Sequence, residues 1–410
     1  MKRLHLFIIC IFLAFGLMAQ PESEWRGPGR TGVYQETELL KEWPENGPEL
    51  IWFNDTLPDG YSSVAVANNK IYLTGLVDSL DALIALDKHG KKLWQTSYGR
   101  AWDASYQPSR STPTVDNKRV YVSSGKGDIA CIDGDKGNII WSVKASEKFG
   151  GTLGRWGLAE SLLIDGEKVF FTTGGNLTTM LAFNKNNGEL IWKSESLKDN
   201  PSYTSPVLIE KDGKKQIVNV TENFIFAVEP ENGKIAWKFD FGSYKKERNN
   251  NTNTPIYFKD ELFVTSGYDH KSVKLKLADD LSSVSLLWVD TVLDVHHGGV
   301  VKIGNYLYGS NWEHNRMGRW VCLDWKTGKV QYETEWINKG SIIAAEDMLY
   351  CFEEKTGNMA LVKANPEEFK VIGSFKVPKG KGPYWAHPVI KDGVLYVRHG
   401  GAVMAYDIKE

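Results

Sequence analysis

Short apolar runs separated by Gly- and Asp-rich turns organise the chain. Residues 120–141 show the unit: Val120–Val122, Ile129–Ile132 and Ile139–Trp141, divided by Gly125-Lys126-Gly127 and by Asp133-Gly134-Asp135-Lys136-Gly137. Runs of this length, rich in β-branched and aromatic residues and bounded by turn formers, predict β-strands. The unit recurs. Apolar triplets centre on Tyr72, Tyr121, Phe170, Val218, Phe263, Tyr308, Tyr350 and Tyr396, and closing aromatics fall at Trp52, Trp94, Trp141, Trp192, Trp237, Trp288, Tyr332 and Phe375. Both markers step by about 45 residues, the length of a four-stranded propeller blade. Helical periodicity is absent after the first twenty residues.

The two ends of the pattern complement each other. The last repeat, from His387-Pro388-Val389 to Ala405-Tyr406-Asp407, has no closing aromatic strand, whereas Glu49–Phe53 is a closing strand with no blade before it. The prediction is an all-β fold, an eight-bladed β-propeller of four-stranded blades over residues 48–410, its ring closed by the N-terminal strand. Closure removes the sheet edges that invite aggregation. Prolines at Thr112-Pro113, Ser205-Pro206, Thr254-Pro255 and His387-Pro388 fit strand starts, where no ladder bond is lost. Each closing aromatic is expected to pack on the next blade, with the turn glycine permitting close approach. Residues 20–47 are expected to wrap the surface of the ring.

Composition adds a compartment. Lys2 and Arg3 precede an apolar run from Leu4 to Met18 and a small-residue site at Leu17-Met18-Ala19, the pattern of a cleaved signal peptide over residues 1–19. The run is short for a membrane span, no second one follows, and Gln20 stands where a lipoprotein would need Cys. A periplasmic or secreted protein without a transmembrane span is expected, and a monomer. A net charge of −2 gives no electrostatic footprint for nucleic acid. Beyond the leader only Cys131, Cys322 and Cys351 remain, with no CxxC pair, so neither a disulfide framework nor a zinc-thiolate site is indicated.

Candidate chemistry follows from register. In a propeller the loops leading into the innermost strands, and those joining second to third strands, converge on one mouth of the central channel. The first set maps to Tyr61, Arg110, Arg155, Trp156, Glu160, Tyr203, Asn253, His296, His297, Trp385 and His387. The second includes Tyr268, Asp269, His270, Asn311, Trp312, Glu313, His314, Arg316 and His399. All histidines beyond the leader except His89 fall in these sets, so a ligand-binding funnel is expected. His296 and His297 are adjacent, and alternation along a strand would send them to opposite faces, so no metal site is expected there. Asn311–Arg316 is the most function-like loop: Trp312 could stack on a flat ligand, with Glu313 and Asn311 as oxygen ligands for a cation. The alternative is a solvated loop with Trp312 packed on its neighbour. Lys245–Asn251 reads as a polar tip.

The units Asp133–Trp141, Asn184–Trp192 and Glu229–Trp237 (DGDKGNIIW, NKNNGELIW, EPENGKIAW) resemble the tryptophan-docking repeat of the PQQ-like, quinoprotein alcohol dehydrogenase-like propeller family. An exported bacterial subgroup is similar in Trp25–Val33, Leu39–Pro44, Phe149-Gly150-Gly151, Arg155-Trp156-Gly157, His296–Gly299 and Tyr308-Gly309-Ser310. The family includes pyrroloquinoline quinone (PQQ) dehydrogenases and the non-catalytic propeller of the bacterial outer-membrane assembly machinery. The resemblance implies a choice. One reading is a non-catalytic binding or scaffold module of the bacterial envelope, with a protein or glycan as ligand. Another is a dehydrogenase with PQQ and calcium as cofactors, whose general base would be Glu160 or Asp269 by position. A glycan-binding or glycan-processing propeller is the third. The vicinal cysteines of one class of PQQ alcohol dehydrogenase are lacking, which favours the first reading.

Overall fold

The computed structural model describes residues 21–246 and 250–410. The expected leader, and part of the Lys245–Asn251 tip, lie outside the described residues. No helix among the described residues is long and apolar enough to cross a membrane.

Eight four-stranded antiparallel sheets form the ring. Seven are built from consecutive strands. In blade 2, Thr114–Asp116, Arg119–Ser123, Asp128–Asp133 and Ile139–Lys144 run from the innermost strand outward. The eighth takes Val389–Lys391, Val394–His399 and Ala402–Asp407 and is completed by Glu49–Asn54, which pairs Glu49 with Asp407 and Asn54 with Val403. The ring is therefore closed by its first strand, as the register predicts, and no blade is left with an open edge from a missing strand.

The repeated residues explain the repeated geometry. In six blades a small third-strand residue is the cross-strand partner of the closing aromatic: Ala85 of Trp94, Cys131 of Trp141, Ala182 of Trp192, Ala227 of Trp237, Cys322 of Tyr332 and Ala405 of Trp52. A β-bulge follows these pairs and tilts the large ring over its partner. In these six blades the partner is alanine or cysteine, small enough to sit beneath the ring; the cysteines are buried and unbridged, and blade 7 departs with Met359 opposite Phe375. Blade 5 breaks the rule with Lys274 opposite Trp288. Its buried ammonium pairs with Glu261 at 2.7 Å and lies 4.3 Å from the Trp325 ring centre.

The indoles then staple neighbouring blades. Trp141 of blade 2 donates from Nε1 to the Lys185 carbonyl of blade 3 at 2.9 Å, and Trp192 does the same to Pro230 of blade 4. The face of Trp141 lies on Gly188, whose φ of 73° suits glycine and where a Cβ would come within 2.7 Å of the ring.

The N-terminal segment departs from expectation. Instead of lying wholly on the surface, residues 23–33 thread the central channel and touch the inner side of six blades. Ser23 bridges to Val115, Trp25 Nε1 donates to Thr254 Oγ1 at 3.1 Å, and Val33 bridges to Ala344. Arg26 is buried and donates to the Val300 and Ile342 carbonyls and to His387 Nδ1; Arg30, also buried, donates to the Ser161 and Leu162 carbonyls. Two guanidiniums that satisfy inner-strand carbonyls across the ring make a plug. Residues 36–44 then pass over blades 7 and 8, where Leu39 bridges to Lys409 and Trp43 packs on Phe375.

Candidate functional site

The mouth of the ring holds a cavity of about 410 Å³ to which every blade contributes. The loops leading into the innermost strands supply Tyr61, Arg110, Arg155, Trp156, Tyr203, Thr252, His296, His297, Trp385 and His387, while Tyr268, Asn315 and Glu354 come from loops joining second to third strands. Trp25 of the plug completes the lining, tilted against His387 with ring centres 4.7 Å apart.

Aromatic rings form an unbroken arc around this cavity. Trp156 meets Tyr106 at 6.0 Å, Tyr106 meets Trp385 at 5.0 Å, and Trp385 meets both Tyr61 at 5.0 Å and His297 at 5.1 Å. The arc continues from His297 to His296 at 4.1 Å and then to Tyr268, against which Trp312, outside the lining, packs at 4.9 Å. Arg110 fixes part of it, donating to the carbonyls of Tyr106 and Trp156. Arg155 is exposed, lies over the Trp156 ring at 5.0 Å, and has no carboxylate partner among the described residues.

The histidines are arranged by their second nitrogens. His387 Nε2 lies 2.8 Å from the His297 carbonyl, while its Nδ1 faces an Arg26 donor, so the ring is neutral with its proton on Nε2. Burial, reinforced by Arg26, pushes its pKa well below the usual value. His296 Nε2 lies 2.9 Å from the Tyr268 hydroxyl, and burial again pushes its pKa far down. His297 is likewise depressed by burial, against the opposing pull of Glu354, whose Oε2 is 3.5 Å from its Nε2. The alternation expected for His296 and His297 does not operate: the innermost strand of blade 6 begins only at Val300, and the preceding bend turns both rings into the cavity.

Of the residues proposed from sequence, Arg155, Trp156, His297, Trp385 and His387 are brought together here. Asn311, Trp312, Glu313 and His314 are not part of the lining. Asn311 donates to Glu333 and accepts from the Arg319 amide, Glu313 pairs with Arg319 at 2.8 Å, and His314 Nδ1 accepts from the Arg316 amide. These side chains brace their own loop. Glu160 is buried beneath the mouth, where it accepts from the Thr172 amide and faces Asn219; burial raises its pKa to about 7. Asp269 stands on the rim, paired with Lys246 at 2.8 Å. His270 packs under Phe241, and His399 bonds the Lys379 and Gly382 carbonyls beneath Tyr384, so both serve structure.

Sequence reasoning missed Trp25, Tyr106, Glu354 and Asp294. Glu354 occupies in blade 7 the loop register that was mapped in blades 5 and 6, so the signal was available. Asp294 is buried and accepts from the amides of Asp269 and Trp312, tying two loops together; burial lifts its pKa to about 7.

The family described as outer membrane protein assembly factor BamB, a PQQ-like repeat family, matches residues 74–334. The chain belongs to this family. Among solved structures it is similar to BamB from Moraxella catarrhalis, at 14% identity and a TM-score of 0.64 over 88% of this chain and 98% of that one. It is similar also to the quinohemoprotein alcohol dehydrogenase ADHIIG from Pseudomonas putida HK5, at 11% identity and a TM-score of 0.63 over 95% and 80%. The computationally designed protein Ika8 aligns at 12% identity and a TM-score of 0.60 over 88% and 100%. At such identities the likeness is one of fold. No curated protein matches.

Proposed function

We propose that this PQQ-like propeller is an exported, non-catalytic binding module of the bacterial envelope that holds a compact carbohydrate in its mouth cavity. The carrying observation is the arc of Trp156, Tyr106, Trp385 and Tyr61 around a cavity to which every blade contributes. Tilted aromatic rings around one cavity offer apolar surface beside polar tips, which suits the faces and hydroxyls of sugar rings. Arg155, open and without an acidic partner among the described residues, favours a ligand with a carboxylate or sulfate. The family's description as an assembly factor supports an envelope setting and a second reading, in which the same mouth receives a loop of an envelope protein.

A PQQ dehydrogenase is disfavoured by what the residues already do. The oxygens proposed for calcium, on Asn311 and Glu313, are committed to Arg319, and Glu160 is shut away from the cavity. Glu354, the carboxylate that does line the cavity, shares its charge with buried Lys339 at 2.8 Å. The residues therefore do not fit a calcium-bound quinone.

Calorimetric titration of purified protein with neutral and uronic-acid oligosaccharides tests the proposal. Binding is expected for the acidic series, weakened at least tenfold by Trp385→Ala and shifted toward neutral sugars by Arg155→Ala. Equal binding in all three proteins would move the site elsewhere. Saturable quenching by PQQ with Ca²⁺, absent with PQQ alone, would restore the dehydrogenase reading.

A further inference from the structure

We propose that His296, His297 and Glu354 form a site for a divalent transition metal of the zinc type in the wall of the mouth cavity. The inference does not depend on the carbohydrate reading.

One nitrogen from each imidazole and one carboxylate oxygen lie within 4.8 Å of one another. Two ligands held about 2.1 Å from a tetrahedral ion sit roughly 3.4 Å apart. His297 Nε2 and Glu354 Oε2 already have that separation, at 3.5 Å, so a third ligand needs only a small side-chain rotation to close the set.

Two atoms are left without any other task. His296 Nδ1 and His297 Nε2 are buried and neither has a hydrogen-bond partner among the described residues. Orphaned buried nitrogens are rare and costly, and two on adjacent imidazoles, one of them 3.5 Å from a carboxylate oxygen, point to a shared ligand. One water has two hydrogens for three acceptors, whereas a metal satisfies both nitrogens together with Glu354.

The surrounding contacts are those a metal site requires. The Tyr268 hydroxyl accepts from His296 Nε2 in the tautomer that leaves Nδ1 as the ligating lone pair. Lys339, buried, holds Glu354 Oε1 at 2.8 Å and the His314 carbonyl at 3.0 Å, which leaves Oε2 turned toward His297. Two nitrogens and one oxygen select Zn²⁺ and its neighbours over Ca²⁺ or Mg²⁺. Lys339 offsets the charge of Glu354, so a bound dication would draw an anionic group or hydroxide from the cavity into its remaining position.

Tag-free protein treated with EDTA and titrated with ZnCl₂ by calorimetry tests this. One Zn²⁺ per chain is expected, with no response to CaCl₂. Tyr268→Phe should weaken binding about ten- to a hundredfold, and the folded double variant His296→Gln/His297→Gln should lose it. Wild-type protein that takes up no Zn²⁺, or a double variant with unchanged affinity, overturns the site; the latter would place zinc on exposed histidines such as His314. Should the double variant not fold, CoCl₂ on the wild type decides: intense visible bands of a four- or five-coordinate ion support the site, and the pale spectrum of an octahedral aqua ion overturns it. Running the oligosaccharide titration on EDTA-treated protein keeps failure of one proposal separate from failure of the other.

Discussion

The rim of the ring and its mouth use tryptophan in opposite ways. On the rim, Trp141 and Trp192 lay their faces on a glycine of the next blade and spend their indole N–H groups on its backbone. At the mouth, Trp156 and Trp385 turn toward a shared cavity and touch other rings. The first kind repeats because each blade must be fastened to the next. The second does not repeat, because a ligand is not eight-fold symmetric. Recurrence thus separates residues that build the scaffold from residues available for binding.

The sharpest way to break this contrast is on the rim. Trp141→Ala should cost about 3–5 kcal/mol, as for other buried large-to-small changes. Gly188→Ala should be comparably harmful for the complementary reason, since a Cβ at φ 73° would sit 2.7 Å from the same ring. Chemical denaturation followed by circular dichroism measures both. A loss below about 1 kcal/mol in either would mean that blade contacts, and not the staple, hold the ring.

The plug comes next. Arg26 stays charged at neutral pH, its pKa lowered by burial only to about 10. Arg26→Met strands two carbonyls and His387 Nδ1 and should cost roughly 2–4 kcal/mol. It should also release Trp25 from the cavity, read as a red shift in tryptophan emission. An unshifted spectrum would show that the plug is held by its other contacts, such as Arg30.

Scaffold and site differed in how far they could be read from sequence. The eight blades, their closure by Glu49–Asn54 and the Trp–Gly docking were legible because each depends on spacing alone. Arg155, Trp156, His297, Trp385 and His387 were legible because register places loop positions at a common mouth. The placement of residues 23–33 was not, since nothing local distinguishes an arginine that caps inner-strand carbonyls from one in solvent. Nor was the pairing of His296 with His297: strand alternation failed because the strand starts three residues later.

Between scaffold and site lies Glu160, and pH sharpens its assignment. Burial raises its pKa from 4.5 to about 7, so the folded protein holds a proton that the unfolded chain has released. Its contribution is complete below about pH 4.5 and is lost as the pH climbs to about 7, a change of the order of 3 kcal/mol. Glu160→Gln should remove that share of the slope in denaturation curves taken across this range. A slope as steep as the wild type's would mean that Glu160 is ionised when folded.

The smallest effect is expected where the sequence drew most attention. Glu313 and Arg319 are both partly solvated, and such pairs are worth about 0–1 kcal/mol. Glu313→Gln should therefore leave stability within that range and leave oligosaccharide and Zn²⁺ binding unchanged, because the side chain points into its own loop. The outcome is informative despite its size. Both the Asn311–Arg316 loop and the His296–Glu354 cluster break the repeat and carry polar chemistry, yet one consumes its donors and acceptors internally while the other leaves two nitrogens unpaired. If Glu313→Gln weakened either ligand as much as Trp385→Ala or Tyr268→Phe, Glu313 would belong to the site alongside Asn315 of the same loop. Irregularity alone would then outweigh hydrogen-bond satisfaction as a guide to function in this fold.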